Sequence, residues 1–335
     1  MGKKFLKVIS LTIMVTLFAI SLASAKMTVK FSAMTPPDHP ETLRIQNIAK
    51  YINDKTNGEI NVRVFLSNQL GDYVTVYDEL IRGSIEMACI SVPSHLDPKL
   101  QILYVPFMTT DYKQNIDFYA KGNWLFTKFE QINNVKGIKV LGFDTDGLGG
   151  LGLAKQPAKV LDPTAKQNIL IRVPGMEIAK TIMEGMGYNT VSVPWADLYS
   201  ALQTGVADGW YGGTPTINYL AFRDAIKYYY QLNIYNEAHL YAMSNKFWNK
   251  LTDEQKKIFE VAVAAAQKEA FETCEAADAE YLKKMTDEGG VQVFTYTAED
   301  LAPMADYIRK NTWPKLAKMI GEDLFEELKE NLGIK

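Results

Sequence analysis

The stretch Ile169-Leu170-Ile171-Arg172-Val173-Pro174-Gly175 sets a fixed cation at the end of an apolar run that Pro-Gly terminates. An arginine there either closes a surface salt bridge, the ordinary use of a side chain that is seldom fully buried, or serves something that the strand end presents. Taken alone, the stretch leaves both open. The other residues able to do chemistry carry weaker signals. Gly147 to Gly152 matches G-x-G-x-x-G after a strand, but Lys155-Gln156-Pro157 stand where a phosphate-binding helix should begin. A crossing between lobes, with backbone approaching a ligand, uses glycine's freedom better. His39, His95 and His239 are far apart and outside zinc spacings. The sequence holds no G-x-S-x-G elbow. No catalytic residue, metal ligand or cofactor is expected, although a carboxylate pair of the glycoside-hydrolase kind has no signature to find.

The elements that must position these residues begin after a leader. Lys3, Lys4 and Lys7, an apolar run from Val8 to Leu22 and Ala23-Ser24-Ala25 form a secretory signal peptide with cleavage after Ala25. Removing 25 of the 335 residues leaves 310, a length that suits two domains. Removing the three leader lysines also takes the net charge from −3 to −6, which argues against nucleic acid as a partner. Cys89 and Cys274 are the only cysteines, and two buried thiols are a better expectation than a disulfide.

Strand and helix patterns then alternate. Met27-Thr-Val-Lys-Phe-Ser-Ala, Glu59 to Ser67, Ile85 to Val92 and Gly137 to Thr145 read as strands, with helical spacing through Arg44 to Asn57, Tyr73 to Gly83 and Asp117 to Phe129 between them. After Thr145 the pattern restarts with Asn168 to Val173, a helix through Met176 to Gly187, Asn189 to Val193, Ala196 to Gly205 and Ala207 to Gly213. This is an α/β fold of two lobes with mainly parallel sheets. Thr252-Asp253-Glu254-Gln255 is a capping box, and helical spacing runs from it to about Thr286. At 1.5 Å per residue the helix would be about 50 Å long, enough to span both lobes beside a hinge.

Arg172-Val173-Pro174, Pro194, Tyr199 to Val206 and Asp208-Gly209 together resemble the signature of substrate-binding proteins of tripartite ATP-independent periplasmic (TRAP) transporters. Asp38-His39-Pro40, Gln69 to Asp72, Gly83 to Ala88 and Tyr104 to Phe107 agree with it, so the resemblance covers essentially the whole mature chain. It implies a periplasmic-binding-protein-like fold, with lobe I at 26–146 plus 238–275 and lobe II at 147–237 plus 276–335. It also implies a periplasmic, monomeric receptor that holds an organic acid anion and delivers it to membrane permease subunits, without catalysis.

By that resemblance Arg172 is the carboxylate anchor, and a guanidinium suits the role because its planar fork of donors meets a carboxylate in bidentate fashion. The chain also departs from the family pattern. Gly149 stands where many members carry a second arginine, and Trp210-Tyr211-Gly212-Gly213 replaces the common Gln-Glu-Asn-Pro. One cation with added aromatics points to a monocarboxylate with an apolar or aromatic body. Trp195, Trp210 and Tyr211 are then candidate walls, with core packing as the competing role. Ser91 and Ser94 are candidate donors from the other lobe, and Phe143 borders the hinge. A secreted bilobal enzyme acting on a small organic acid, and a solute sensor for a signalling partner, are the alternatives.

Overall fold

The computed structural model describes residues 26–334. The leader and its cleavage site lie outside the described residues. The strands are β1 (Met27–Ala33), β2 (Ile60–Phe65), β3 (Met87–Ile90), β4 (Ile138–Leu148), β5 (Gly150–Leu153), β6 (Leu170–Val173), β7 (Asn189–Ser192), β8 (Gly209–Gly213), β9 (Tyr228–Gln231), β10 (Asn236–Ser244) and β11 (Gln292–Thr295). They form a five-stranded sheet in the order β2-β1-β3-β10-β4 and a six-stranded sheet in the order β11-β9-β5-β8-β6-β7.

Both sheets are mixed, where the sequence leads one to expect mainly parallel ones. The β-α-β units do give parallel pairs, β1 with β2 and β3, and β6 with β7 and β8. The antiparallel pairs at the crossing arise because the chain passes between the sheets there in both directions as extended strands. β4 continues into β5 through Gly149, and β9 returns into β10 alongside it, so that β4 pairs antiparallel with β10 and β5 with β9. At the crossing the Gly149 N–H donates to the Tyr235 carbonyl (2.9 Å) and the Ile234 N–H donates to the Gly149 carbonyl (3.0 Å). A Cβ at Gly150 would lie 2.3 Å from the Tyr230 carbonyl oxygen, so the two chains can approach this closely only with glycine there.

The capping box starts a helix of 35 residues, Asp253–Asp287, with both reciprocal hydrogen bonds of Thr252 and Gln255 in place. Its first half packs Phe259 and Val263 into a core with Phe31 of β1 and with Ile45 and Ile48 of helix α1 (Pro40–Lys55). Its second half carries Asp278 to the crossing, where Asp278 Oδ2 accepts from the Leu148 N–H (3.0 Å) and the Tyr112 hydroxyl (2.6 Å). The helices at Ala298–Asn311 and Trp313–Ile320 also tie the halves together. Arg309 Nη2 donates to the Phe107 carbonyl (2.7 Å), Trp313 Nε1 donates to the Pro106 carbonyl (2.9 Å), and the same helices pack Met304 and Leu316 into one core with Ile182. Cys89 and Cys274 are free, buried thiols. Among the described residues no helix is long and apolar enough to cross a membrane.

Candidate functional site

β6 lies between β7 and β8, and its register sets Arg172 beside Val191 on one side and Trp210 on the other. Ile171 and Val173 are buried in the core behind the sheet, and the two-residue alternation of a strand turns Arg172 to the opposite face. There its side chain, 3 % exposed, enters a cavity of about 110 Å³ lined from both sheets. Tyr73, Ser91 and Glu237 come from the side of the five-stranded sheet, and Pro174, Trp195 and Tyr211 from the side of the six-stranded sheet.

Two buried arginines in this molecule differ in their partners. Arg44, in α1, meets Asp144 with two hydrogen bonds, Nε to Oδ2 at 2.9 Å and Nη2 to Oδ1 at 2.5 Å. Arg172 donates Nε to the Val193 carbonyl (2.8 Å), and among the described residues no carboxylate lies within 4.0 Å of it. Burial lowers its pKa to about 10 while Tyr73, Tyr235 and Glu237 pull the other way, so the guanidinium keeps its charge at neutral pH. With Nε used by Val193, the terminal nitrogens make no hydrogen bond to the described protein. They offer the two-pronged donor that a carboxylate accepts.

Of the residues expected at the site, Trp195, Trp210, Tyr211 and Ser91 also line this cavity. The tryptophans are wall and core at once: Trp210 packs on Phe222 (4.9 Å between centroids) and Trp195 on Trp210 (5.8 Å), with Trp210 Nε1 donating to Asn218 (3.0 Å). The other three expected residues lie outside the lining. Gly149 is held in the crossing ribbon, where a Cβ would meet the Tyr235 ring at 3.3 Å. Ser94 sits in the loop after β3, its carbonyl accepting from the Asp97 N–H (3.2 Å). Phe143 is fully buried and packs on Tyr119 and Phe129 (5.5 Å each), on the core side of β4.

Sequence reasoning missed the polar half of the cavity. His39 caps α1, Nδ1 accepting the Glu41 N–H (3.2 Å), and its Nε2 lies 3.0 Å from Asp146 Oδ1, close but poorly aligned for a hydrogen bond. His239 Nδ1 pairs with Glu41, and its Nε2 is 3.6 Å from Glu237 Oε1. Burial alone would discharge both imidazoles, but the neighbouring carboxylates outweigh it and raise both pKa values, that of His239 well above the ordinary range. The same contacts hold Glu41 and Asp146 below theirs against their own burial. Among the described residues no group of three or more His, Cys, Asp or Glu side chains could hold a metal ion. Each of these histidines lies against a carboxylate, His39 against Asp146 and His239 against Glu41, and serves it as a counter-ion. Their only sequence signal is Asp38-His39-Pro40 at a helix start.

The profile of the bacterial extracellular solute-binding proteins, family 7, matches residues 31–318. A C4-dicarboxylate-binding periplasmic protein of Vibrio cholerae is 27 % identical over 312 residues, 90 % of each chain. Among solved structures, a TRAP periplasmic solute-binding protein of Desulfovibrio salexigens with bound orotic acid superposes with a TM-score of 0.82 at 21 % identity, covering 92 % of this chain and 99 % of that one. A TRAP periplasmic solute-binding protein of Sulfurospirillum deleyianum with bound succinate gives 0.79 at 24 % identity, covering 91 % and 99 %. These structures share the two-lobed fold.

Proposed function

The chain belongs to family 7 of the bacterial extracellular solute-binding proteins, a family of receptors and not of enzymes, and from that premise we propose that it captures an organic acid with a single carboxylate on Arg172. In this reading the ligand's apolar or aromatic body rests against Trp195, Trp210 and Tyr211. The closed receptor, a monomer, delivers it in the periplasm to the membrane subunits of a TRAP permease. The lobes are 26–146 with 238–275 and 147–237 with 276–335.

One observation carries the reading: a charged, buried guanidinium without a protein carboxylate, inside an aromatic cavity lined from both sheets. A buried charge left unpaired is costly, whereas a charge-assisted, bidentate pair with a ligand offsets that cost. The orotic acid and succinate named for the similar structures are both carboxylic acids, which supports the carboxylate and leaves the body of the ligand to this chain's own walls. A second buried carboxylate would find no second free arginine here, and a ring gains stacking on the tryptophans.

A thermal-shift panel tests this, since a ligand at 100 times its Kd adds about 2.7 kcal/mol to the folded state. Branched or aromatic monocarboxylates are expected to stabilise the protein more than succinate, malate or fumarate at equal concentration. The reverse ranking would place the aromatic residues in the core alone and remove the monocarboxylate preference.

A further inference from the structure

The cavity wall opposite in character to Arg172 is built around Glu237, and the function proposed above does not use it. Glu237 enters from β10 beside Asn236 and Ala238, which are buried in the sheet, and its own side chain is 14 % exposed. Its Oε2 accepts from the Tyr235 hydroxyl (2.6 Å). Three tyrosine rings gather around it: Tyr235 packs on Tyr104 (6.2 Å, edge-on) and on Tyr211 (5.2 Å), and all three line the same cavity. Burial first, and then the negative charge of Glu237, push their hydroxyls well above the ordinary tyrosine range. The Tyr211 hydroxyl is buried and has no hydrogen-bond partner.

Charge pairing leaves this corner negative. His239 is one cation between two carboxylates, hydrogen-bonded to Glu41 through Nδ1 and 3.6 Å from Glu237. Asp146 has its own partners in His39 and Thr214. Arg172 is more than 4.0 Å from Glu237, so the cavity presents an unmatched cation on one wall and an under-neutralised carboxylate among aromatic rings on the other. A protonated amine fits the second wall: it donates hydrogen bonds to the carboxylate, and tyrosine faces attract a cation. A neutral hydroxyl would gain less from either.

We propose that Glu237, with Tyr104, Tyr211 and Tyr235, forms an ammonium subsite, and that the ligand is an amino acid whose carboxylate lies on Arg172 and whose protonated amine lies on Glu237. The assignment rests on the carboxylate reading above and narrows it to a zwitterion with one carboxylate.

Calorimetry on the full mature receptor with matched acids tests it. The pairs are L-leucine and 4-methylpentanoate, L-phenylalanine and 3-phenylpropanoate, and 5-aminopentanoate and pentanoate, with the 2-oxo and 2-hydroxy analogues of the first two. In at least one pair the amine is expected to bind about 10- to 100-fold tighter than its partner, the range of one charge-assisted hydrogen bond. Glu237→Gln, shown folded by circular dichroism, is expected to reduce that ratio to about 3-fold or less. Deamino, 2-oxo or 2-hydroxy acids that bind as tightly as the amines overturn the ammonium subsite and leave the carboxylate receptor standing. Silence from every acid overturns both. The wild-type ratios decide even if the variant does not fold.

Discussion

Arg172 and Arg44 are both buried, yet they relate to the fold in opposite ways, and substitution separates them. Removing the Arg44 guanidinium leaves Asp144 as a buried carboxylate without its cation, the situation that costs most when an ion pair is broken. Removing that of Arg172 leaves only the Val193 carbonyl short of a donor. Arg172→Met is therefore expected to leave the ligand-free protein about as stable as the wild type or more so in urea unfolding. A loss well above 1 kcal/mol, the typical worth of one hydrogen bond, would give the arginine a structural role instead. Arg172→Ala is expected to weaken binding of the best acid about 10-fold to several-hundred-fold, the loss of one or two charge-assisted hydrogen bonds. Arg172→Lys should recover little of it, because an ammonium cannot reproduce the fork. Calorimetry on the folded variants reads both.

Among the elements, the contact between the long helix and the strand crossing carries the most unusual chemistry. Asp278 is buried, its Oδ1 has no partner, and burial raises its pKa well above the ordinary value against the hydrogen bonds from Tyr112 and Leu148. A carboxyl whose folded pKa is raised favours the fold below its unfolded pKa of about 4, and that advantage is lost as pH rises toward the folded value. Asp278→Asn keeps the acceptor and cannot ionise. It is expected to gain stability relative to wild type as pH rises above about 4, by at most ~1.4 kcal/mol per pH unit. Urea unfolding at several pH values checks this, and a constant difference would show that the two states share one pKa. Gly147 faces the same carboxyl with φ +106°, and a Cβ there would lie 2.3 Å from Asp278 Oδ2. Gly147→Ala is therefore expected to lower the unfolding midpoint through both strain and displacement of the carboxyl.

At the scale of the whole molecule, a cavity walled from both sheets with its anchor almost out of contact with solvent requires the halves to part before a solute can enter. The connections permit this. Apart from the ribbon at Gly149, the long helix and the C-terminal helices, the halves are joined by isolated hydrogen bonds such as Ile178 N–H to Gln101 Oε1 (3.1 Å) and Thr214 to Asp146 (2.5 Å). A ligand that touches both walls stabilises the closed form selectively, and differential affinity is what shifts such an equilibrium. Small-angle scattering is expected to show a smaller radius of gyration with saturating ligand than without it, and equal radii starting from an open form would count against a hinged receptor. The C-terminal helices hold Trp313 and Arg309 on Pro106 and Phe107, so any opening must turn about a line that leaves these contacts made or breaks them together.

What the sequence determined by itself is what short-range periodicity and capping chemistry can encode. The strand around Arg172, the β-α-β rhythm, the Thr252-Gln255 capping box and the glycine crossing each involve residues within a few positions of one another, so each is legible without the fold. The tertiary structure decided which distant residues meet. Arg172 and Trp210 become neighbours through the register of β6 and β8. Glu41 and His239, 198 positions apart, become an ion pair. Glu237 reaches the cavity only because β10 returns antiparallel between β3 and β4, a pairing that no local pattern around Asn236 to Ser244 specifies. Phe143 shows the same limit from the other side, since its strand was legible while the face it turns inward was set by Tyr119 and Phe129 packing against it. Local patterns fix what each segment becomes, and long-range packing fixes which charges stay unpaired; in this protein the unpaired charges mark the candidate site.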